Sequence, residues 1–138
     1  MAENIPQIFN KIPPQNIEAE QSLLGSILID KNSIIKIADI ITPQDFYKET
    51  HAKIFETMLD LYQDHEPIDL LSMSNKLNEK KQLDFVGGRT YLSSLASMVP
   101  TASHVVTYAK IVQKKSTLRK LISAASEIGE LSFQEIED

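Results

Sequence analysis

The sequence predicts an all-α protein, in which a compact orthogonal multi-helix globular head precedes one long helix. Apolar residues recur at spacings of three and four along most of the chain. No long stretch shows the alternation of apolar and polar residues that is typical of a β-strand. Pro and Gly interrupt the periodic stretches often before Pro100 and rarely after it. We therefore predict a flexible N-terminal arm at residues 1–11, a helical head at 12–102, and a long helix with an acidic tail at 103–138.

The first helix is predicted to begin just after a pair of prolines, with Asn16 as its N-cap. Glu18 and Glu20 fall in the first turn, where the helix dipole favours negative charge. Gly25 is unfavourable in mid-helix, so its presence indicates close packing against another helix. The predicted apolar face consists of Ile17, Leu23, Leu24, Ile27 and Leu28.

The sequence predicts two further helix starts. The first is a short helix capped by Asn32 or Ser33, and the second is the proline-initiated turn at Thr42-Pro43-Gln44-Asp45. The next helix ends at Pro67. The apolar residues predicted to face inward are Ile34, Ile37, Ala38 and Ile41, and then Ala52, Phe55, Met58, Leu59 and Tyr62.

Asp69 is predicted to cap another helix, and Gly87-Gly88 breaks the chain after it. A last short helix of the head follows and stops at Pro100. The predicted inward residues of these two helices are Leu70, Met73, Ser74 and Leu77, and then Tyr91, Leu92, Leu95, Ala96 and Val99.

After Pro100 the chain meets no proline or glycine until Gly129. With Thr101 or Ser103 as N-cap, one helix is predicted from about His104 to Leu131, which is roughly 40 Å long. A second helix is needed to cover its apolar stripe, so we expect this helix to be the first arm of a hairpin that is cut short, or to pair with another subunit. The stripe comprises Tyr108, Ile111, Leu118, Ile122 and Ala125.

Charge is unevenly distributed along the chain, whose net charge is −5. The segment from Phe85 to Ser126 contains no Asp or Glu and has a charge of +6, which predicts a polarised molecule with a side that faces a partner. Three interpretations are open for its basic stretch: a solvated helix face, docking to an acidic protein surface, or direct phosphate contact. The stretch carries Lys110, Lys114, Lys115, Arg119 and Lys120.

Motifs for chemistry are missing. There is no GxxxxGK[ST] phosphate loop and no GxSxG elbow, and His51, His65 and His104 have no partner at metal-ligand spacing. His51 is expected to be partly exposed. We therefore expect no catalytic residue, bound cofactor or metal site.

Composition also bears on the compartment. The absence of cysteine fits a reducing cytosol, and the sequence has neither a secretory signal nor an apolar run long enough to span a membrane. A cytoplasmic protein without a membrane partner is expected.

Five segments resemble, in order and spacing, the N-terminal domain of the DnaB-type replicative DNA helicases of bacteria. They are IPPQNIEAEQSLLGSIL at 12–28, DFYKETHAKIFETM at 45–58, EPIDLLSM at 66–73, LDFVGGRTYLSSLASMVPTA at 83–102 and YAKIVQKKSTLRKLI at 108–122. The resemblance implies a domain that forms a collar above a ring of motor domains, joins subunits through paired hairpins and docks primase. ATP and Mg²⁺ would then belong to the motor domain, which this chain lacks, so the chain alone is predicted to be inactive although its parent resembles an ATP-dependent helicase.

By the same resemblance, the working surfaces are assigned to two helices. Tyr91, Ile122 and Ile128 are the expected primase-facing or hairpin-facing contacts, with core burial as the alternative for each. The self-association seam is expected to use Tyr108, Ile111, Leu118 and Ala125. A helicase loader is a further possible partner, and DNA is expected to bind mainly to the motor domain. The alternatives are a stand-alone helical adaptor that binds a helicase or primase, and a weak single-stranded nucleic-acid binder that uses Lys110 to Lys120.

Overall fold

The computed structural model describes residues 11–134, and within this range all regular secondary structure is helical. The predicted all-α class is thus confirmed. The arm predicted at residues 1–11 lies outside the described residues except for Lys11, as does the end of the acidic tail. The helices are α1 (Ile17–Ile29), α2 (Ser33–Ile37), a 3₁₀ turn (Pro43–Asp45), α3 (Glu49–Gln63), α4 (Leu70–Glu79), α5 (Gly88–Met98) and α6 (Val105–Phe133).

Helix α1 is the centre of the head and packs mainly against α5 and α6. Leu23, Leu24 and Ile27 are completely buried on it. A Cβ atom at Gly25 would overlap the carbonyl oxygen of Leu95 on α5, so only glycine permits this approach of the two helices. The prediction of close packing at Gly25 is confirmed, and the first helix is a core element.

The caps predicted at Asn16, Thr42 and Asp69 are confirmed, and the cap predicted for the long helix is wrong. The side chains of Asn16 and Asp69 accept hydrogen bonds from the backbone N–H groups of Ala19 and Ser72, at 2.9 and 2.8 Å. The long helix begins at Val105, close to its predicted start at about His104, but neither Thr101 nor Ser103 caps it. Asn32 stands at the predicted N-cap position of α2, although its side chain makes no capping hydrogen bond.

The long helix is attached to the head along its first half. Val105, Ala109, Val112 and Ser116 are buried where α6 packs on α1, α2 and the 3₁₀ turn, and their spacing of four, three and four residues places them on one face. None of these four belongs to the stripe predicted from Tyr108 to Ala125. The helix therefore has two adjacent faces: a buried face that packs on the head, and the face that carries the predicted apolar stripe. Among the described residues, no helix is both long and apolar enough to cross a membrane.

Candidate functional site

The stripe predicted on α6 lies beside its buried face and is only partly covered by the head. Tyr108, Ile111, Leu118 and Ile122 are half-buried, while Ala125 is exposed. At 3.6 residues per turn these five positions share one side of the helix. Half-covered apolar side chains in a row leave room for another helix, so this face can accept a partner.

Beyond Ile122 the helix projects from the head, and its large apolar side chains are exposed. Ile128 is 64% exposed and Phe133 is 92% exposed. Apolar side chains grouped in this way mark a surface that another protein covers. Ile128 therefore stands on a free part of α6, whereas Ile122 is half-buried near the place where the chain enters the head.

Tyr91, the third residue predicted to face a partner, is half-buried on α5 and is tied to the core by its hydroxyl group. The Oη atom lies 2.6 Å from Nε2 of His51 on α3 and 3.2 Å from Nε2 of Gln21 on α1. The rings of Tyr91 and His51 are stacked, with centroids 6.0 Å apart and planes 7° apart. The geometry thus gives Tyr91 a structural role in joining three helices.

Glu20 completes this network from the other side of His51. Its carboxylate accepts hydrogen bonds from the backbone N–H groups of Tyr47 and Lys48, at 2.6 and 3.4 Å, and lies 2.8 Å from Nδ1 of His51. Because a carboxylate only accepts, Nδ1 carries a proton, and in a neutral imidazole the Tyr91 hydroxyl donates to Nε2. Glu20 is 1% exposed and His51 is fully buried, so every member of the network depends on the others.

The prediction that His51 is partly exposed was wrong. The prediction that Glu20 interacts with the helix dipole was incomplete, because it missed the burial of this side chain. His51 falls at the four-residue and seven-residue spacings from Phe55 and Met58, so the helical period already placed it on the buried face of α3. Glu20 falls at the same spacings from Leu24 and Ile27 on α1. The polar character of both residues concealed this signal, since isolated polar groups are rarely buried.

A second buried carboxylate, that of Asp45, fixes the 3₁₀ turn to α6. Ser116 donates a hydrogen bond to it at 2.7 Å, and the backbone N–H of Thr42 donates another at 2.8 Å. Burial by itself raises the pKa of Asp45, but the hydrogen bonds from Ser116 and Thr42 and the nearby charge of Lys120 together hold the pKa below its ordinary value of 3.8. Asp45 therefore remains ionised, and its contribution to stability is lost only as the pH falls through that lowered pKa.

The basic residues of α6 do not form one surface. Lys110 and Lys114 are exposed on one side, and Lys115 is half-buried about a quarter turn away from Lys114. Lys120 is 70% exposed, with its ammonium group 3.6 Å from the carboxylate of Asp45. Arg119 is engaged with the head, so the positive charge free to meet a partner is smaller and more dispersed than the sequence suggested.

Arg119 joins three segments of the chain. Its two terminal nitrogens donate hydrogen bonds to the carbonyl oxygens of Pro14 and Asp45, at 2.8 and 2.7 Å. The guanidinium carbon lies 5.5 Å from the centre of the Tyr47 ring, within the range of a cation–π interaction. The planar fork of arginine suits this arrangement, because it reaches two acceptors at once.

Replacing Arg119 by lysine is expected to lower the free energy of unfolding by about 1–2 kcal/mol, since one ammonium group cannot serve both carbonyl oxygens and the ring. Urea unfolding followed by circular dichroism measures the change. The exposed Lys114 provides the control, and its replacement by alanine should change stability by less than about 0.5 kcal/mol. Equal losses for the two variants would contradict a structural role for Arg119.

The described part of the chain contains no group of three or more histidine, aspartate or glutamate side chains arranged to hold a metal ion. What the surface of residues 11–134 offers is an apolar helix face and scattered charges, features that suit binding to another protein.

Comparison with known proteins decides the family. Residues 12–114 match the family described as the DnaB-like helicase N-terminal domain. The chain belongs to this family. The match begins at the segment before α1 and ends within α6, so it includes the whole head and both buried carboxylates.

Relatives of this DnaB-like N-terminal domain agree with the match. The replicative DNA helicase DnaB of Geobacillus stearothermophilus is 45% identical over 120 residues, which are 87% of this chain and 26% of that protein. The replicative DNA helicase DnaC of Bacillus subtilis is 41% identical over 94% of this chain and 29% of its own length. The chain thus spans between a quarter and a third of the length of these relatives.

Among solved structures, the N-terminal domain of DnaB helicase from Mycobacterium tuberculosis aligns with a TM-score of 0.87 and 36% identity, and the alignment covers 90% of each chain. A DnaB-like replicative helicase, described together with its interactions with primase, aligns with a TM-score of 0.75 and 33% identity over 83% of this chain and 27% of that one. The arrangement of α1 to α6 is therefore the fold of DnaB-like N-terminal domains.

Proposed function

We propose that this chain is the assembly domain of a hexameric, ATP-dependent replicative DNA helicase, which associates with other subunits and docks primase at the replication fork. The observation that carries the proposal is the half-covered apolar side of α6, on a helix whose far end projects from the head. A helix anchored by one face and apolar on the next is suited to pair with a second helix. Membership of the DnaB-like family supports the helicase as the assembly concerned.

Two separate surfaces are assigned to the two kinds of partner. The seam for self-association is formed by Tyr108, Ile111, Leu118 and Ala125. Primase is assigned to the half-buried Ile122 and to Ile128 on the projecting part of α6. Tyr91 is assigned a supporting contact, because its hydroxyl group is occupied within the head. A DnaB-like replicative helicase of 33% identity, whose structure was described together with its interactions with primase, supports primase as the partner.

The chemistry of the helicase is assigned to residues outside this chain. ATP and Mg²⁺ would bind the motor domain, where DNA would also be contacted, and a helicase loader is a further partner of the assembly. Such a protein works in the cytoplasm. The chain alone is accordingly expected to bind proteins and to leave ATP unhydrolysed.

Replacing Ile122 by aspartate is expected to weaken self-association or primase binding at least tenfold, because a charge on the half-buried apolar side must lose its water when a partner covers it. The helical circular dichroism signal should not change. The matched control is Thr117→Asp, which adds the same charge to an exposed position of α6. Unfolding of the head by Ile122→Asp would instead place Ile122 in the core.

Sedimentation equilibrium tests the proposed function directly. The chain is examined alone and then mixed with the C-terminal domain of the cognate primase. A self-associating species or a complex with primase supports the proposal. A chain that remains monomeric and does not bind primase at high micromolar concentration would contradict it.

A further inference from the structure

The segment of residues 45–48, which leads from the 3₁₀ turn into α3, is held on two sides by charged groups. On one side, the carboxylate of Glu20 accepts a hydrogen bond of 2.6 Å from the backbone N–H of Tyr47. On the other side, Arg119 of α6 donates a hydrogen bond of 2.7 Å to the carbonyl oxygen of Asp45, and its guanidinium group faces the Tyr47 ring. One short segment therefore connects a buried carboxylate on α1 to the side chain that attaches α6.

This segment is packed tightly between the two groups. Its apolar side chain, Phe46, is buried and packs against Phe55 of α3, with ring centroids 5.3 Å apart. Helix α3 begins directly after the segment, at Glu49. Because a close-packed interior transmits strain, a displacement at one end of the segment is passed to the other end.

The carboxylate of Glu20 extends this connection to α5. It lies 2.8 Å from Nδ1 of His51, and Nε2 of His51 lies 2.6 Å from the hydroxyl oxygen of Tyr91. Glu20 and His51 are buried, so their hydrogen bonds form at a low dielectric constant, where each bond strengthens the next. A continuous path of contacts thus runs from Tyr91 on α5 to Arg119 on α6.

We propose that residues 45–48 couple the buried network at His51 to the attachment of α6. Loss of the Tyr91 hydroxyl group would let His51 and Glu20 reorient, and the segment would then hold Arg119 less tightly. Coupling is reciprocal, so a change at Arg119 would in turn loosen the network. A protein that binds at α5 would thereby act on α6 without contacting it. The inference concerns contacts within the head and does not depend on the proposed helicase role.

Hydrogen exchange followed by NMR tests the proposal at both ends of the path. The variant Tyr91→Phe retains the ring and removes only the hydroxyl group, so the head should remain folded. Exchange of the guanidinium protons of Arg119, which are donated to the carbonyl oxygens of Pro14 and Asp45, reports the attachment of α6. The matched control is Tyr62→Phe, which makes the same change at an exposed tyrosine of α3.

Tyr91→Phe is expected to accelerate exchange of the Arg119 protons at least about threefold relative to Tyr62→Phe. The internal reference is the backbone N–H of Met73, which donates to the carbonyl oxygen of Asp69 in α4, outside the path, and its exchange should not change. An unchanged exchange rate at Arg119 would overturn the proposal. Equal acceleration at Arg119 and Met73 would overturn it as well, since it would indicate a general loosening of the head.

The reverse experiment introduces Arg119→Lys and follows exchange of the proton on Nδ1 of His51. This exchange should be at least about threefold faster than in Lys114→Ala, a variant that changes an exposed basic residue of the same helix. Responses at both His51 and Arg119 support the coupling. Because a coupling free energy is the same in both directions, a response in one direction only would overturn it.

Discussion

Replacing Glu20 by alanine is expected to lower the free energy of unfolding by about 3–5 kcal/mol, a large part of the stability of a domain of this size. The carboxylate serves His51 and the backbone N–H groups of Tyr47 and Lys48, and all three donors would lose their acceptor inside the protein. A buried donor without a partner costs about 1–3 kcal/mol. Urea unfolding of the purified variants measures the loss.

Glu18 provides a matched control for this substitution. It lies in the same first turn of α1 but is exposed, so Glu18→Ala removes the same favourable interaction with the helix dipole and nothing else. Its expected cost is about 0.3–1 kcal/mol. If both variants lost the same small amount, the role of Glu20 would be that of a first-turn acid, and the buried network would contribute little.

Replacing Gly25 by alanine is expected to destabilise the protein by about 1–3 kcal/mol. The added Cβ would meet the carbonyl oxygen of Leu95, a backbone atom that cannot rotate away as a side chain can, so α1 and α5 would have to separate. The loss of packing should exceed the gain in helix propensity. Thermal unfolding and urea unfolding both report the change.

Gly129 is a control for Gly25, because it is also in a helix but is not packed against another helix. Apart from its chain neighbours and the backbone of its own helix, no described atom lies within 4 Å of the Cβ position at Gly129, and the residue is in the projecting part of α6. Gly129→Ala should therefore stabilise the monomer by up to about 1 kcal/mol through helix propensity alone. Destabilisation of the monomer by both substitutions would contradict the explanation by close packing at Gly25.

The sequence was sufficient for the helices of the head because their apolar residues follow the helical period and because capping residues mark several of their ends. Asn16 and Asp69 were identified as caps for this reason, and the structure confirms them. The start of α6 was assigned to the wrong cap because candidate side chains at Thr101 and Ser103 were available nearby. Several residues in such a segment can cap a helix, and packing against the rest of the protein decides where the helix begins.

In the long helix α6, the sequence did not distinguish the face that packs on the head from the adjacent apolar face. Val105, Ala109, Val112 and Ser116 anchor α6, yet Ala109 and Ser116 are small or polar and did not stand out beside Tyr108, Ile111 and Leu118. The larger side chains of Tyr108, Ile111 and Leu118 gave the stronger apolar periodicity, although they are only half-buried in the structure. Which of two adjacent faces meets the head depends on contacts with residues far away in the chain. The surfaces assigned to primase and to other subunits remain predictions.

The attachment of α6 by only its first half has a mechanical consequence. From Arg119, whose side chain is hydrogen-bonded to the head, to Phe133 the helix extends roughly 21 Å, at 1.5 Å per residue. A tilt of about 10° at that anchor would displace the free end by roughly 4 Å, which follows from the same helix geometry. The helix is thus a lever whose fulcrum lies where Arg119 holds Pro14 and Asp45. Small adjustments inside the head would be amplified into large displacements at its tip, where Ile128 and Phe133 are exposed.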